Sequence, residues 1–427
     1  MTARALEVWC FGDRTGTLTD AADGLAFAYA PEWIGAGRPP LSQSLPLDGP
    51  CGTEAVVAFF GGLLPEGTPR TTLARQLGVS VENDFGLLEA LGGDTAGAVS
   101  VVRPGEAPPG PAGEDVLWLT DEELAREIAE LPTRPMHADE DGEYRLSLAG
   151  AQDKLPVVVG ADGRVGLTTG RTPSTHIMKT PIAGLDDTVV NEAMCLDIGR
   201  RLGLDTVDAT PRAAADAECL LVGRYDRTTG DDGTVRLHQE DFCQALGVAT
   251  ARKYQAEGGP TLPDCFALLR RATAVPAREA VRLLDAVALN FLVGNHDAHG
   301  KNFSLLYAPT TAAARFAPIY DVLDTVAYGK VRPMSRKMAM SIGKEYRPDY
   351  VAPRHLDALL AESGLGAAAA RRRLRGLAAS APEAARAARQ ALVDAGWDRP
   401  VLGRIVETVD QRAGWLAAIA APASRTR

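Results

Sequence analysis

The stretch VRLLDAVALNFLVGNHDAHGKNFSLL, residues 281–306, contains a predicted helix, a polar loop and a predicted strand in direct succession. Apolar residues recur on one helix face, namely Leu284, Val287, Ala288, Phe291 and Leu292. This period predicts a buried helix, and Gly294 ends it because glycine readily takes the left-handed conformation that closes helices. Polar loops placed between buried elements commonly carry functional side chains, so residues 295–302 are the first candidate site.

Two residues of this loop, Asp297 and Asn302, are five positions apart. The same interval separates the catalytic base from a metal-binding Asn in the protein-kinase catalytic loop. A second carboxylate, Asp321, follows a predicted strand over residues 315–319 and is expected to face Asn302 across a hairpin. The pattern favours phosphoryl transfer, in which a carboxylate orients the acceptor hydroxyl and oxygen ligands hold Mg²⁺. The alternative is that Asp297 and Asn302 only cap turns, since this spacing is common.

Composition limits the class of protein. The 427 residues include 45 Lys and Arg against 55 Asp and Glu, a net charge of -10, with 46% hydrophobic and 23% charged residues. These values indicate a folded protein of two or three domains. The negative charge opposes direct binding to nucleic acid, so a role on DNA would need a basic partner.

Targeting and cysteine patterns give further exclusions. The longest apolar stretch, residues 55–64, is far shorter than the roughly 20 residues that span a bilayer, and charged residues interrupt the N-terminus. We therefore expect a cytoplasmic protein without a membrane segment. Six scattered cysteines without a C-x-x-C pair indicate reduced thiols, not a zinc site or a disulfide framework.

The chain is predicted to be α+β. We expect a β-rich unit over residues 1–110, a linker over 111–139, a core with strands over 140–240 and a helical part over 241–427. The predicted strands cover residues 5–11, 25–29, 99–102, 155–159, 176–178 and 220–222. One helix, from Thr53 to about Gly61, interrupts the N-terminal unit, and another follows Asp187 and ends before Gly203. Residues 160–170 are expected to be a turn-rich connection.

Two segments upstream of the loop could bind phosphate. Lys179 lies at a predicted strand end, where its ammonium could neutralise nucleotide phosphates, or it could simply extend to solvent. Glu192 could pair with it, or lie on an exposed helix face. The segment SLAGAQDK, residues 147–154, contains small residues whose backbone N–H groups could surround phosphate oxygens. It matches neither of the common glycine-rich phosphate motifs.

An ordered set of motifs resembles the HipA family of bacterial serine/threonine kinases, the toxins of HipA–HipB systems. The motifs are SLAGAQDK (147–154), THIMK (175–179), NEAMCLDIGRRLGL (191–204), GRYDR (223–227), HQEDFCQALG (238–247), GNHDAHGKNFSLL (294–306) and PIYD (318–321). In the N-terminal unit, FFGGLLPEG (59–67) and GGDTAGAV (92–99) are similar to the N-terminal subdomain of that family. The resemblance therefore covers nearly the whole chain.

This resemblance implies a two-lobed protein-kinase-like fold with a β-rich N-terminal subdomain, an all-α C-terminal lobe and ATP between the lobes. It makes Asp297 the catalytic base, Asn302 and Asp321 the Mg²⁺ ligands, and Lys179 a contact of the ATP phosphates. The implied phosphate-covering loop consists of Ala149, Gly150, Ala151, Gln152, Asp153 and Lys154. The implied adenine hinge is Gly223, Arg224 and Tyr225, and further nucleotide contacts are His299, Gly300, Lys301, Asn302, Tyr320 and Asp321.

The resemblance also implies regulation and targets. Ser147 matches a serine that the family phosphorylates on itself to switch the enzyme off, although a structural hydroxyl fits the same position. The implied function is a toxin kinase that phosphorylates a translation component, an aminoacyl-tRNA synthetase such as glutamyl-tRNA synthetase. The implied partner is a HipB-like helix-turn-helix antitoxin, through which alone the chain would reach DNA.

Two alternatives remain open from the sequence. The chain could be an antitoxin-bound corepressor with little kinase activity, or a small-molecule kinase that shares the phosphoryl-transfer residues. Two positions depart from the usual family pattern: Gly223 stands where an acidic residue is frequent, and His296 replaces a Thr before Asp297. An imidazole beside Asp297 is expected to alter the pH dependence of transfer.

Overall fold

An antiparallel sheet and four helices form the N-terminal part of the chain in the computed structural model, which describes residues 4–21, 24–108, 116–137, 146–168, 172–230, 233–308, 313–329 and 335–421. The strands are β1 (Arg4–Cys10), β2 (Asp13–Ala21), β3 (Gly24–Tyr29) and β4 (Val99–Val102), in the order β3-β2-β1-β4. The helices are α1 (Pro31–Gly35), α2 (Thr53–Gly61), α3 (Gly67–Gln76) and α4 (Asp84–Leu91). Alternate residues of β1 face the core, as the two-residue period of a strand requires.

Only α2 of these helices was expected from the sequence, and its bounds are confirmed. α3 and α4 are short, and α3 in particular carries few apolar residues, so neither gives a long helical period. Phe59 and Phe60 of α2 are fully buried in a core with Leu6, Val8 and Phe27 of the sheet. The N-terminal subdomain thus has a hydrophobic core of its own.

A second sheet, of six strands, follows the first one in the chain. Its strands are β5 (Val116–Trp118), β6 (Lys154–Val159), β7 (Val165–Thr168), β8 (His176–Lys179), β9 (Ala209–Ala214) and β10 (Ala217–Gly223), in the order β5-β7-β6-β8-β10-β9. Helix α5 (Asp121–Glu130) packs against β10. Residues 116–130, within the expected linker, therefore form β5 and α5. The connection expected over residues 160–170 contains β7, which pairs with β6.

The remaining elements are mostly helices. They are α6 (Thr188–Arg201), α7 (Phe242–Leu246), α8 (Leu262–Ala272), α9 (Pro276–Val293), α10 (Pro353–Ser363), α11 (Ala367–Asp394) and α12 (Pro400–Ile419). The strands are β11 (Arg227–Gly230), β12 (Gly233–Arg236), β13 (His238–Asp241), β14 (Ser304–Tyr307) and β15 (Ala314–Phe316). α9 packs against α8, α11 and α12, because its apolar residues extend over most of its circumference.

The chain forms two compact units. The first contains residues 1–182, 210–251 and 304–314, and the second contains 183–209, 252–303 and 315–427. The first holds almost all the strands and the second most of the long helices, which confirms the α+β class. All six cysteines are unpaired and five of them are buried. No helix within the described ranges is long and apolar enough to cross a membrane.

Candidate active site

The loop after α9 begins at Gly294, which has a φ of 77°. A Cβ at this position would lie 2.8 Å from Asp324 Oδ1 and 2.9 Å from Thr408 Cγ2, so close packing as well as the left-handed backbone requires glycine. Residues 300–302 then form one 3₁₀ turn before the chain enters β14. The loop predicted to follow the helix is therefore present and tightly turned.

Asp297 lies at the exposed surface of this loop. Its backbone N–H donates to Asn295 Oδ1 at 3.0 Å, and its carbonyl accepts from the N–H of His299 at 2.8 Å. Its carboxylate Oδ1 accepts a hydrogen bond from the Tyr254 hydroxyl at 2.9 Å. The backbone is thus fixed on both sides while the carboxylate can be reached from solvent, as a general base requires.

Asn302 and Asp321 lie side by side in the second unit. Asn302 Nδ2 donates to Asp321 Oδ2 at 2.9 Å. Asn302 Oδ1 is buried and has no hydrogen-bond partner within the described part of the chain. A buried amide oxygen beside a carboxylate is a suitable donor set for Mg²⁺, which prefers a few protein oxygens and completes its shell with water and phosphate oxygens. The residues present therefore fit this ion.

Asp321 reaches this position differently from the prediction. The strand expected over residues 315–319 ends at Phe316, and Ile319 instead forms a parallel bridge with Thr206. Asp321 itself has a φ of 58°, a conformation that costs a non-glycine residue of order 1 kcal/mol. Strain of this kind persists where surrounding contacts fix the residue, and here Asn295 Nδ2 donates to the Asp321 carbonyl at 3.3 Å.

Asn295 was not singled out by the sequence, yet it connects the candidate residues. Its Oδ1 accepts from Asp297 N–H, while its Nδ2 donates to Asn290 Oδ1 at 2.7 Å and to the Asp321 carbonyl. The available signal was its place two residues before Asp297, a spacing at which Asn side chains often bind the backbone. Tyr254 gave no such signal, because it is 43 residues from Asp297 in the chain.

The other residues predicted from this loop come together with Asn302. The Tyr320 hydroxyl donates to the Lys301 carbonyl at 2.7 Å, and Gly300 N–H donates to the Lys253 carbonyl at 3.4 Å. The His299 ring is buried and packs edge-to-face against the Tyr254 ring, with centroids 5.1 Å apart. No group of three or more His, Cys, Asp or Glu side chains that could together hold a metal ion occurs in the described ranges.

Both ring nitrogens of His296 have partners in the second unit. Its Nδ1 lies 2.8 Å from the Ser335 carbonyl and must donate, whereas its Nε2 lies 2.8 Å from an Arg412 nitrogen and must accept. Burial lowers the pKa of His296, and the nearby Arg412 acts in the same direction. The contacts with Ser335 and Arg412 thus favour a neutral ring, and the effect of His296 on the pH dependence of transfer stays a prediction.

In the first unit, the segment 147–154 folds back on itself. Gly150, with a φ of 112°, forms a parallel bridge with Pro65, and a Cβ at Gly150 would lie 2.6 Å from Lys154 Nζ. Gln152 Nε2 donates to the Thr180 carbonyl at 2.8 Å. Lys154 on β6 and Lys179 on β8 are directly paired across the sheet. Two ammonium groups thus end neighbouring strands beside the loop, a favourable place for phosphate.

Two further predictions concern the self-phosphorylation of Ser147 and the pairing of Lys179 with Glu192. Ser147 is fully buried, and its Oγ donates to the Leu63 carbonyl at 2.7 Å. The structural role weighed for this hydroxyl is therefore present in this conformation. Lys179 in the first unit and Glu192 on α6 in the second are both buried, so neither extends to solvent, and their pairing stays a prediction.

The adenine hinge at Gly223, Arg224 and Tyr225 stays a prediction, and the structure shows the contacts that these residues make. Gly223 ends β10, and the backbone N–H of Arg224 donates to the Thr175 carbonyl at 3.0 Å. The Arg224 guanidinium is buried and binds Asp226, Ser174 and the Thr95 carbonyl. The Tyr225 hydroxyl donates to Gln239 Oε1 at 2.6 Å. Apart from the Arg224 N–H, these contacts involve side chains, whereas the hinge implied by the family resemblance would meet adenine through backbone groups.

Comparison with known proteins finds similarity to one family over most of the chain. Residues 6–102 match the HipA N-terminal domain, and residues 146–385 match the HipA-like C-terminal domain. The chain is 44% identical over 391 residues to the putative kinase Y4mE of Sinorhizobium fredii, covering 90% of this chain and 91% of that one. It is 30% identical over 358 residues to the serine/threonine-protein kinase toxin HipA of Shewanella oneidensis, covering 81% and 79%.

A solved structure is similar over nearly the full length. The HipA of Shewanella oneidensis, determined as a complex of HipA, HipB and operator DNA, superposes with a TM-score of 0.80 at 28% identity and covers 97% of this chain and 96% of that chain. Both lobes of the two-lobed fold implied by the sequence resemblance are included in that match. The chain therefore belongs to the HipA family of kinases.

Proposed function

We propose that this chain is an ATP- and Mg²⁺-dependent serine/threonine protein kinase and the toxin of a HipA–HipB type pair. The observation that carries the proposal is the set Asp297, Asn302 and Asp321, connected through Asn295 in the second unit. An accessible carboxylate and a pair of oxygen ligands are the minimum that phosphoryl transfer to a hydroxyl requires. Family membership supports the same reaction.

Each residue has a separate role in the proposed reaction. Asp297 accepts the proton of the acceptor hydroxyl. The hydroxyl oxygen bonds to the γ-phosphorus of ATP, while the bond from this phosphorus to the bridging oxygen breaks and ADP leaves. Asn302 and Asp321 would hold Mg²⁺, which when bound neutralises charge on the phosphate oxygens. His299, Gly300, Lys301 and Tyr320 keep the loop around Asn302 in place through the contacts described above.

We assign Lys154 and Lys179 of the first unit to the ATP phosphates, with the backbone of residues 149–153 covering them. The pairing of the two lysines across β6 and β8 supports this assignment. Ser147 begins the same segment and is the proposed site of self-phosphorylation. A phosphate of about two negative charges could not occupy a buried site that offers only the Leu63 carbonyl, so the modified segment would have to leave it.

The proposed acceptor in the cell is a component of translation, namely an aminoacyl-tRNA synthetase such as glutamyl-tRNA synthetase. The proposed partner is a HipB-like helix-turn-helix antitoxin, and the support for it is the similar protein solved with HipB and operator DNA. With a net charge of -10, this chain would need such a partner to approach DNA. The second candidate function is that of a corepressor, which requires no kinase activity. The similar protein solved with HipB and operator DNA supports this candidate as well.

The experiment that tests the proposal follows phosphate from ATP onto the chain. Phosphatase-treated wild type, Asp297→Asn and Ser147→Ala are incubated with labelled ATP and Mg²⁺, and incorporated phosphate is mapped by mass spectrometry. We expect label on Ser147 in the wild type, none in Asp297→Asn and none at that site in Ser147→Ala. Wild type that binds ATP but incorporates no phosphate would contradict the kinase proposal and favour the corepressor.

A further inference from the structure

Tyr254 stands directly against the candidate base, and nothing in the sequence motifs pointed to it. Its hydroxyl donates to Asp297 Oδ1 at 2.9 Å. We infer that Tyr254 is a positioning residue for phosphoryl transfer, one that holds the Asp297 carboxylate and the His299 ring in the orientation the reaction needs. This inference rests on the proposed function, because it assigns Tyr254 a role through Asp297.

The contacts of Tyr254 extend along the loop. Its ring meets the buried His299 ring edge-to-face, at 5.1 Å between centroids and an interplanar angle of 86°. The carbonyl of the preceding residue, Lys253, accepts from Gly300 N–H at 3.4 Å. The dipeptide Lys253–Tyr254 thus contacts three of the four residues from 297 to 300, namely Asp297, His299 and Gly300. A single packing contact would not produce such a match between two segments far apart in the chain.

The segment that carries Tyr254 is itself held rigidly. The Tyr254 carbonyl accepts from the N–H groups of Glu257 and Gly259, both at 2.9 Å, which closes a tight turn. A Cβ at Gly259 would lie 2.3 Å from the Arg252 carbonyl oxygen, so this turn requires glycine. Gln255 then binds Ser341, accepting from its N–H at 2.8 Å and donating to its Oγ at 3.0 Å. Tyr254 is therefore presented from a fixed backbone.

A fixed hydroxyl is useful here because Asp297 is exposed. An exposed carboxylate can rotate about its Cβ–Cγ bond, and a base that points away from the acceptor does not contribute. A donor on Oδ1 fixes the carboxylate plane. Since a carboxylate has about four acceptor sites, this bond leaves capacity for the acceptor hydroxyl. Tyr254→Phe would keep the ring contact with His299 and remove only the donor.

The test measures phosphoryl transfer by the full chain with Tyr254→Phe and the control Tyr350→Phe, whose ring is 57% exposed. We expect kcat to fall about tenfold in Tyr254→Phe with the KM for ATP within about twofold of wild type, and no change in the control. In the Asp297→Asn background, measured over long incubations, adding Tyr254→Phe is expected to have no further effect.

Three outcomes would overturn the inference. An unchanged kcat would show that the hydrogen bond has no role in positioning. A raised kcat would show that the tyrosine hydroxyl occupies the place of the acceptor instead of orienting the base. An equal loss in the Asp297→Asn background would show a structural effect that does not act through Asp297. Failure of the proposed function itself would appear separately, as the absence of phosphoryl transfer by the wild-type chain.

Discussion

Single residues around the loop after α9 have environments that match distinct roles. Asp297 is exposed and its backbone is held on both sides, whereas Asn302 is buried with one oxygen that no group in the described ranges satisfies. Asp321 is kept in a left-handed conformation. A buried polar atom without a partner is costly, so its presence beside a carboxylate is the residue-level argument for a bound cation.

Replacement of Asn302 tests that argument. Asn302→Leu removes both the unsatisfied oxygen and the donor to Asp321, so the affinity for ATP in the presence of Mg²⁺ should fall at least about tenfold. Affinity measured in EDTA should not change. Asn302→Asp, which keeps an oxygen at this position, should retain Mg²⁺-dependent binding, as followed by titration calorimetry. Equal Mg²⁺-dependent affinity in Asn302→Leu and wild type would remove Asn302 from the metal site.

Glu240 gives a second residue-level prediction, on stability. Its carboxylate is fully buried and accepts from Ser42 Oγ at 2.5 Å, Gln43 N–H at 3.1 Å and the Tyr307 hydroxyl at 2.5 Å. Burial raises the pKa of Glu240 from 4.5 to about 7, although the hydrogen bonds from Ser42 and Tyr307 oppose the shift. The folded state therefore binds the proton more tightly, and this stability is present below pH 4.5 and is lost as the pH rises through 7.

Glu240→Gln cannot ionise, so its stability relative to wild type should be greater at pH 8 than at pH 5, by about 2–3 kcal/mol. Urea unfolding of both proteins at the two pH values measures this difference. The exposed Glu122→Gln in α5 serves as the control, and its free energy of unfolding should follow that of wild type at both pH values. A difference between variant and wild type that is the same at both pH values would mean that Glu240 titrates normally.

For single residues, the sequence was informative where the interval between two residues determines their chemical role. The interval between Asp297 and Asn302 placed both on the loop, and Asp321 was expected opposite Asn302, where the structure has it. The burial of the Arg224 side chain and the contacts of His296 with Ser335 and Arg412 could not be predicted, because they depend on segments far apart in the chain. Tyr254 was missed for the same reason.

Among the elements, the segment 146–154 is the one whose movement the proposal requires. Leu146 bridges to Asp94 and Gly150 to Pro65, and Ser147 donates both its N–H, to the Asp94 carbonyl, and its Oγ, to the Leu63 carbonyl. All these contacts are to the N-terminal subdomain in the same unit. Docking of the segment therefore depends on a neutral, small side chain at position 147.

Substitution at Ser147 should release the segment in proportion to the charge added. Ser147→Glu would bury a carboxylate against a carbonyl oxygen, so we expect hydrogen exchange of residues 146–154 to reach the rate of unprotected amides. Ser147→Ala loses one neutral hydrogen bond and should show an intermediate, smaller loss of protection. If exchange in Ser147→Glu stayed at the wild-type level, the segment would tolerate phosphate in place, contrary to the proposal.

Elements with a strong pattern were predictable. Helices α2 and α6 and strands β4, β6 and β8 lie within a residue or two of their expected bounds, because glycines and regular apolar spacing mark them. β7 and β5 are three or four residues long, too short for a period to appear, and their positions in the sheet come from pairing with distant strands.

For the whole molecule, a buried ion-pair network holds the first unit together. Asp94 of the N-terminal subdomain binds Arg227 at 2.5 Å and Ser174 Oγ at 2.7 Å, and Asp226 binds Arg224 at 2.7 Å. Burial opposes the charge of Asp94, but Arg227 and Arg224 outweigh it and lower the pKa of Asp94 to about 2. The GRYDR motif therefore joins the N-terminal subdomain to the six-stranded sheet.

Removal of one member should be strongly destabilising. Asp94→Ala leaves three buried guanidinium groups, those of Arg224, Arg227 and Arg236, with Asp226 as their remaining carboxylate in the network, and we expect a loss of about 3–5 kcal/mol in the free energy of unfolding. Urea unfolding measures it, with Asp162→Ala as the control, since the Asp162–Arg164 pair is about half exposed and should leave the midpoint unchanged. A similar midpoint in Asp94→Ala and wild type would show that the network does not support the unit.

Class and family were accessible from the sequence, since the motifs extend over nearly the whole chain and both family domains match. The division of the chain into two units was less accessible from the sequence. Residues 210–251 and 304–314 return to the first unit after excursions into the second, and such returns leave no mark in local composition.

The most direct test of the central claim is the initial rate of phosphoryl transfer by Asp297→Asn at saturating ATP and Mg²⁺, compared with wild type and with the exposed control Asp349→Asn. We predict a fall of at least about 100-fold in Asp297→Asn, no change in Asp349→Asn, and ATP affinity within about twofold of wild type in both. A rate for Asp297→Asn within tenfold of wild type would contradict the assignment of this loop as the catalytic site.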